Sequence, residues 1–144
     1  MTRTRRAWGD EAPAAPHIWR TLSYRGIEQG DGRSVIEWEA APEYCFHDGG
    51  DGFIVHGGMV TTLLDTAMGG ACWSVLGDDE SFLTADLHCE FMRSARPGVL
   101  RAEGRVVQRS RRVAFCAAEL YDADGELLAS SRCTQIIRGA AGES

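Results

Sequence analysis

The most informative part of the sequence is residues 53–77, which read FIVHGGMVTTLLDTAMGGACWSVLG. After His56 it contains no proline, and its apolar residues recur too densely for a helix with a single buried face. A helix that is apolar nearly all round is normally buried. Gly57 and Gly58 open it with backbone N–H groups that no Cβ covers. We therefore predict a long central helix that begins after His56 and ends at Gly77, where an acidic loop follows.

One carboxylate, Asp65, lies inside this apolar run. Burying an ionised carboxylate without a partner is costly, so its presence needs a reason. At helical spacing it shares a stripe with mostly small or polar residues, namely Gly58, Thr61, Thr62, Met68, Gly69 and Cys72. The other faces carry more apolar bulk as a whole, and we assign them to the core. Their residues are Met59, Leu63, Thr66, Gly70 and Trp73. The residues alone leave two interpretations open, a site wall or an Asp bonded to nearby hydroxyls at an oligomer contact.

Four segments occur in an order and spacing that resemble a known family. His56-Gly57-Gly58 is followed by an acid nine residues after the His, and later segments read LTADL (83–87), FMRSARPG (91–98) and DADGELLA (122–129). Together they resemble the PaaI-like branch of the hotdog-fold acyl-CoA thioesterases, in the wider 4-hydroxybenzoyl-CoA thioesterase group. The resemblance covers residues 22–137. It implies an α+β hotdog fold, in which an antiparallel β-sheet wraps around one long central helix.

The resemblance also implies an activity and roles for particular residues. The expected reaction is hydrolysis of an aryl- or medium-chain acyl-CoA to free acid and CoA. Asp65 would act as nucleophile or general base, and the Gly57 N–H would bind the oxyanion. His56 would donate to the carbonyl, or it would bond only to backbone at the helix start. Thr84 matches a Ser or Thr that orients water or the acid, and the substrate-binding candidates on the helix are Gly58, Thr61 and Thr62.

One position departs from the family pattern. Related enzymes commonly carry Asn or Gln six residues before the His, and Gly50 stands there in this chain. The missing amide favours an alternative function, a non-catalytic hotdog protein that binds acyl-CoA. Hotdog hydratases and dehydratases are a third class, but their His and acid must meet on one substrate, which the nine-residue spacing fits poorly.

Helix geometry adds a requirement of its own. Gly57 and Asp65 are eight residues apart, which is roughly 12 Å along a helix axis at about 1.5 Å per residue. Both cannot reach a single thioester carbonyl. Two antiparallel copies of the helix would place the start of one beside the middle of the other. We therefore expect a homo-oligomer, a dimer at minimum, and the resemblance extends this to a tetramer made of two dimers.

Arginines offer candidate contacts for the phosphates of CoA. The segment 109–112 reads RSRR, with Arg93 and Arg96 nearby in the sequence. Arg pairs well with phosphate oxygens, and we assign this role to Arg111 and Arg112, with exposed hairpin charge as the alternative. CoA enters only as part of the substrate, and no cofactor is expected. No metal is expected either, since residues 47–52 (HDGGDG) match no calcium-loop or zinc spacing.

Composition narrows the class of protein. A chain of 144 residues with 25% charged and 44% hydrophobic residues is an ordinary globular domain. The net charge of −6 argues against a nucleic-acid partner, and no uninterrupted apolar run suits a membrane span. Five cysteines form no Cys-x-x-Cys pair, and their odd number suits a reducing compartment, so we expect a cytoplasmic protein.

The remaining pattern predicts strands around the helix. We expect a flexible arm (1–16), one hotdog domain (17–138) and a short tail (139–144). Strand-like segments occupy 18–29, 34–41, 82–92, 99–108, 113–121 and 127–137, and residues 42–55 are predicted as a loop. The pattern alone supports an antiparallel sheet with a buried helix.

Overall fold

A computed structural model describes residues 16–139. The predicted arm and tail lie outside the described residues, except for Pro16 and Gly139. The helices are α1 (His17–Leu22) and α2 (Gly57–Trp73), and a short 3-10 turn covers Pro42–Tyr44. The strands are β1 (Arg25–Gly30), β2 (Arg33–Ala40), β3 (Cys45–His47), β4 (Phe53–Val55), β5 (Ser81–Phe91), β6 (Gly98–Arg109), β7 (Val113–Tyr121) and β8 (Leu127–Arg138).

Six of these strands form one antiparallel sheet in the order β1-β2-β6-β7-β8-β5. The strands β3 and β4 pair separately as a small hairpin. The long helix α2 contacts every strand of the large sheet, so the sheet curves around it. This arrangement confirms the predicted α+β hotdog fold. Within residues 16–139, neither helix is long and apolar enough to cross a membrane.

Small residues allow α2 to lie very close to the central strands. The central strands β6 and β7 carry small buried residues: Ala102, Gly104, Ala114 and Ala118. A Cβ at Gly104 would overlap the backbone carbonyl of Ala67 in α2. The helix axis therefore has little freedom to shift relative to the sheet.

Three parts of the chain differ from the sequence prediction by more than a residue or two. The predicted strand 18–29 begins with helix instead, because residues 18–22 lie in α1, which buries Trp19 against Tyr24. The predicted loop 42–55 contains the β3–β4 hairpin. The long helix ends at Trp73 rather than Gly77, because the Ser74 hydroxyl donates to the Ala71 carbonyl and accepts the Gly32 N–H.

A β-bulge in β5 changes which side chains face the helix. Leu87 and Cys89 pack against the core, so strict alternation would place Leu83 inside and Thr84 outside. The pairing of β5 with β8 instead shifts between Thr84 and Asp86. As a result Leu83 is 60% exposed, and Thr84 turns toward α2. Bulges commonly re-aim a side chain next to a functional site.

Candidate active site

The start of α2 presents an unused backbone donor. His56 is the N-cap, and its Nδ1 accepts the Gly58 N–H at 2.9 Å. Among residues 16–139, the Gly57 N–H has no acceptor. Because the helix dipole adds partial positive charge here, this N–H suits a developing oxyanion. With Nδ1 accepting, a neutral His56 carries its proton on Nε2, which leaves a second donor at an exposed position.

An apolar cavity of about 330 Å³ lies beside this helix start. Two backbone hydrogen bonds hold together the segments of this chain that surround the cavity. The Val55 N–H donates to the Ala95 carbonyl at 2.8 Å, and the Met92 N–H donates to the Leu128 carbonyl at 2.9 Å. The cavity is lined by Phe46, Ile54, Val55, Gly57, Val60, Phe91, Met92, Arg93, Ser94, Ala95, Leu120, Leu128 and Ala129.

Asp65 lies half-buried eight residues further along α2. The Thr84 Oγ1 is 3.4 Å from its Oδ1. Burial raises the pKa of Asp65. The buried hydroxyl of Tyr24 has no hydrogen-bond partner within the described range. Burial first, and the Asp65 charge second, raise the pKa of Tyr24, so Asp65 sits in a poorly solvated pocket.

The predicted helix stripe is only partly accessible. The Thr61 and Thr62 hydroxyls donate to the Gly57 and Gly58 carbonyls at 2.9 and 2.8 Å, so both protons are used within the helix. Gly58 is exposed, and the two threonines are half-buried. Other stripe members, Met68 and Cys72 among them, are fully buried in the core. The stripe is therefore not one continuous wall.

The two halves of the candidate site do not meet within one chain. The structure places Gly57 and Asp65 on the same unbroken helix, about 12 Å apart along its axis. The cavity beside Gly57 is not lined by Asp65 or Thr84. A single chain thus presents a donor with a cavity at one place and a desolvated carboxylate at another.

One buried residue beside Asp65 escaped the sequence analysis. Gln135 is 0% exposed, and its Oε1 lies 2.8 Å from the Thr84 Oγ1. It pairs directly with Thr84 across β5 and β8. A signal was present in the sequence, because the inward positions of β8 are otherwise small or apolar: Ser131, Cys133 and Ile137. A long polar side chain at such a position needs a buried partner.

Most of the candidate arginines are held in ion pairs. Arg109 binds both carboxylate oxygens of Glu80, at 2.8 and 2.7 Å, and Arg93 pairs with Glu126 at 3.0 Å. Arg111 and Arg112 are exposed on the turn between β6 and β7.

The strand register places this arginine turn at the Asp65 end of the sheet. Ala114, two residues after Arg112, pairs with Gln135, which pairs with Thr84. Leu120, which lines the cavity, lies six residues further along β7, or roughly 20 Å at about 3.3 Å per residue. Within one chain, Arg111 and Arg112 therefore lie nearer to the Asp65 carboxylate than to the cavity.

The loop before α2 offers no substitute amide at position 50. The Gly50 N–H donates to Asp48 Oδ1 at 2.8 Å, and Arg96 binds the other oxygen of Asp48. This guanidinium is the main cause that lowers the pKa of Asp48. Across residues 16–139 no group of three or more His, Cys, Asp or Glu side chains could hold a metal ion.

Comparisons with known proteins give one family and one fold. The sequence model of the thioesterase superfamily matches residues 53–129, more than half of the chain. No curated protein matches the sequence.

Solved structures give the same family name. A thioesterase-superfamily protein is 32% identical over 85% of this chain and 90% of its own, with a TM-score of 0.77. A putative thioesterase, a phenylacetic acid degradation-related protein from Ralstonia eutropha, is 29% identical over 88% and 93%, with a TM-score of 0.77. A thioesterase from Haemophilus influenzae, 16% identical over 86% and 84%, shares the fold with a TM-score of 0.76.

The raised pKa of Asp65 leads to a prediction about stability. Because burial disfavours the ionised form, the folded state binds the Asp65 proton more tightly than the unfolded chain does. The resulting loss of stability is present at high pH and disappears as the pH falls below both pKa values. Asp65→Asn should therefore melt at the same temperature as the wild type, or higher, at about pH 8, and the difference should shrink toward about pH 5.

Thermal unfolding followed by circular dichroism measures this effect. Asp86→Asn is the matched control, since it removes the same charge from an exposed position on β5. An Asp65→Asn variant that melts well below the wild type at every pH would contradict the assigned burial of the charge.

Proposed function

The chain belongs to the thioesterase superfamily and is a thioester hydrolase, and we propose that it hydrolyses acyl-CoA at sites shared between two subunits. The observation that supports this proposal most strongly is the separation of Gly57 and Asp65 along one helix. One end offers an unused N–H beside an apolar cavity. The other offers a desolvated carboxylate. Each end needs the other from a second copy of the chain.

The cavity supports an aryl or medium-chain acyl group. Its volume of about 330 Å³ is at the lower end of small-molecule sites, which run from about 300 to 1,000 Å³. Aliphatic side chains form most of the wall, and Phe46 and Phe91 add two aromatic rings. A flat ring or a chain of moderate length would fill such a space. The similar Ralstonia eutropha protein is named for phenylacetic acid degradation, which agrees with an aryl group.

The free edge of β5 supports the pairing of two subunits. In the part of the chain that the structure describes, this 11-residue strand pairs only with β8. Long unpaired edges readily pair with another chain. Leu83 and Phe91 on this strand are 60% and 54% exposed. If two β5 strands pair antiparallel about a two-fold axis, the two α2 helices also run antiparallel.

Such a dimer would bring Gly57 of one subunit beside Asp65 of the other. Each dimer would then hold two equivalent sites, with the cavity from one chain and the carboxylate from its partner. A tetramer made of two such dimers is a further proposal, and the shared site does not require it.

In the proposed reaction, the donors at the helix start bind the thioester oxygen, and Asp65 of the other subunit then acts on the carbonyl carbon or on water. The thioester oxygen accepts the Gly57 N–H, and the His56 Nε2–H is a second donor at the same end of the helix. Asp65 then either takes a proton from water that attacks the carbonyl carbon, or attacks that carbon itself. In both routes the C–S bond breaks and the CoA thiolate departs, taking up a proton to become the thiol. In the second route the acyl group is left on Asp65 as an anhydride, which water then hydrolyses to release the free acid and restore the carboxylate. Thr84 lies where its hydroxyl can orient the water or the acid.

The location of the arginine turn supports a role for Arg111 and Arg112 in binding CoA. Both lie on the chain that provides Asp65, at the same end of the sheet. The proposed dimer thus divides the substrate, with the acyl group in one subunit and the phosphates of CoA against the other. Phosphate binding at exposed arginines should raise affinity without changing the bond-breaking step.

The proposal is tested by turnover of an acyl-CoA panel by Asp65→Asn. This variant should lose activity by at least about two orders of magnitude, because it removes the only carboxylate in the helix. Thiol release, followed with a thiol reagent, gives the rate, and Asp86→Asn serves as the control. If the pure wild type turns over no acyl-CoA in the panel, the substrate proposal fails and non-catalytic binding gains support. Near-wild-type activity in Asp65→Asn, with deamidation excluded, rejects the role of Asp65.

The CoA contact is tested with the double variant Arg111→Ala/Arg112→Ala. It should raise KM for acyl-CoA severalfold and leave kcat nearly unchanged, since the contact lies away from the reacting bond. A short acyl-thioester of N-acetylcysteamine has no phosphates, and its kinetics should be the same in both proteins. Arg132→Ala, an exposed arginine on β8, is the control. An unchanged KM for acyl-CoA would remove the turn from the site.

A further inference from the structure

We propose that Gln135 is a positioning residue for thioester hydrolysis, which accepts the hydrogen bond of the Thr84 hydroxyl so that Asp65 stays free to react. This inference rests on the proposed function of Asp65. Gln135 does not touch the cavity, and it acts through Thr84.

The burial of Gln135 indicates a specific task for its amide. The side chain is fully buried, and burying an amide is unfavourable unless its groups are hydrogen-bonded. Its Oε1 lies 2.8 Å from the Thr84 Oγ1, and its Nε2 lies 3.3 Å from the Cys133 Sγ. Both ends of the amide are thus occupied within the core. The neighbouring inward positions of β8 hold small or apolar side chains, so the core itself does not call for an amide here.

The distances around Thr84 decide where its single proton goes. A hydroxyl has one hydrogen, and two acceptor oxygens compete for it. The Gln135 Oε1 is at 2.8 Å, within the normal range, whereas the Asp65 Oδ1 is at 3.4 Å, near the limit for a hydrogen bond. The proton therefore points to Gln135. Asp65 is left beside an oxygen lone pair of Thr84 rather than a donor.

A carboxylate without a strong donor is the better base and nucleophile. Hydrogen bonds to the charged form of an acid stabilise it and lower its pKa. The other titratable groups near Asp65 are the Tyr24 phenol, before β1, and the Cys89 thiol on β5. Burial raises the pKa of both groups, so they stay neutral and supply no compensating charge. The Thr84 proton is thus the interaction that Gln135 can direct toward or away from Asp65.

The variant Gln135→Met removes the acceptor while keeping the length of the side chain. The Thr84 proton should then turn to Asp65, lower its pKa and weaken it as a base. We expect kcat for acyl-CoA to fall about tenfold with little change in KM, because substrate contacts are untouched. The acid limb of the pH–kcat profile should move to lower pH. In a Thr84→Val background the same change should have almost no further effect.

A carboxyl NMR titration gives a readout that needs no substrate. The Asp65 carbon signal, assigned by its loss in Asp65→Asn, should titrate at lower pH in Gln135→Met than in the wild type. In Thr84→Val it should titrate within error of the wild type, because the Thr84 proton was not on Asp65. Ser131→Ala is the matched control, a buried polar residue of β8 that bonds to the Ala118 carbonyl and not to Thr84.

The possible results separate the two proposals. An unchanged or raised pKa of Asp65 in Gln135→Met overturns the role of Gln135, whatever the activity. If that variant does not fold, a raised pKa in Thr84→Val overturns it equally, since it shows that Thr84 donates to Asp65. A wild type that turns over no acyl-CoA defeats the proposed function alone, and the titration still tests the contact.

Discussion

The close packing of α2 on the sheet keeps this helix straight, so Gly57 and Asp65 lie about 12 Å apart along its axis. Ala and Gly residues on the inner strands let the helix approach so closely that a Cβ at Gly104 would overlap its backbone. A helix held in this way cannot bend to bring its first turn to its third. The chain alone therefore keeps these two groups apart, and the proposed mechanism requires a second copy to join them.

The main elements of the fold could be predicted because their signals are local. The dense apolar run after His56 and the alternation in the later strands predicted a buried helix and an antiparallel sheet. The resemblance to a known family specified the hotdog fold, and the structure confirms this fold class. What the sequence could not supply are effects of pairing and packing. The bulge after Thr84 reverses the simple alternation, and only the register with β8 shows it. Helix α1 buries Trp19, and the sequence has no helical periodicity there that would have predicted this helix.

For the candidate site too, the sequence motif identified residues, whereas their contacts and burial could be seen only in the structure. The motif gave Gly57, His56 and Asp65, while the structure adds that Nδ1 of His56 caps the helix and that burial raises the pKa of Asp65. Gln135 has no motif, because its importance lies in a contact across two strands distant in sequence. The desolvation that gives Asp65 its role in the proposed mechanism also opposes folding when this carboxylate is ionised. Activity and stability are thus expected to conflict at this residue.

The shared site is tested most directly by mixing two inactive variants. Gly57→Pro replaces the N–H with a ring carbon, and the helix should tolerate it because proline suits the first helical position. His56 already has the extended ψ of 132° that proline requires before it, and a Cβ at position 57 would make only ordinary contacts, 3.7 Å from the Phe91 ring. Asp65→Asn removes the acid. Random exchange makes about half of the dimers mixed, each with one intact site of two, so activity should return to roughly a quarter of wild type. If both variants fold and exchange subunits, and the mixture remains inactive, the site lies within one chain and the account is wrong.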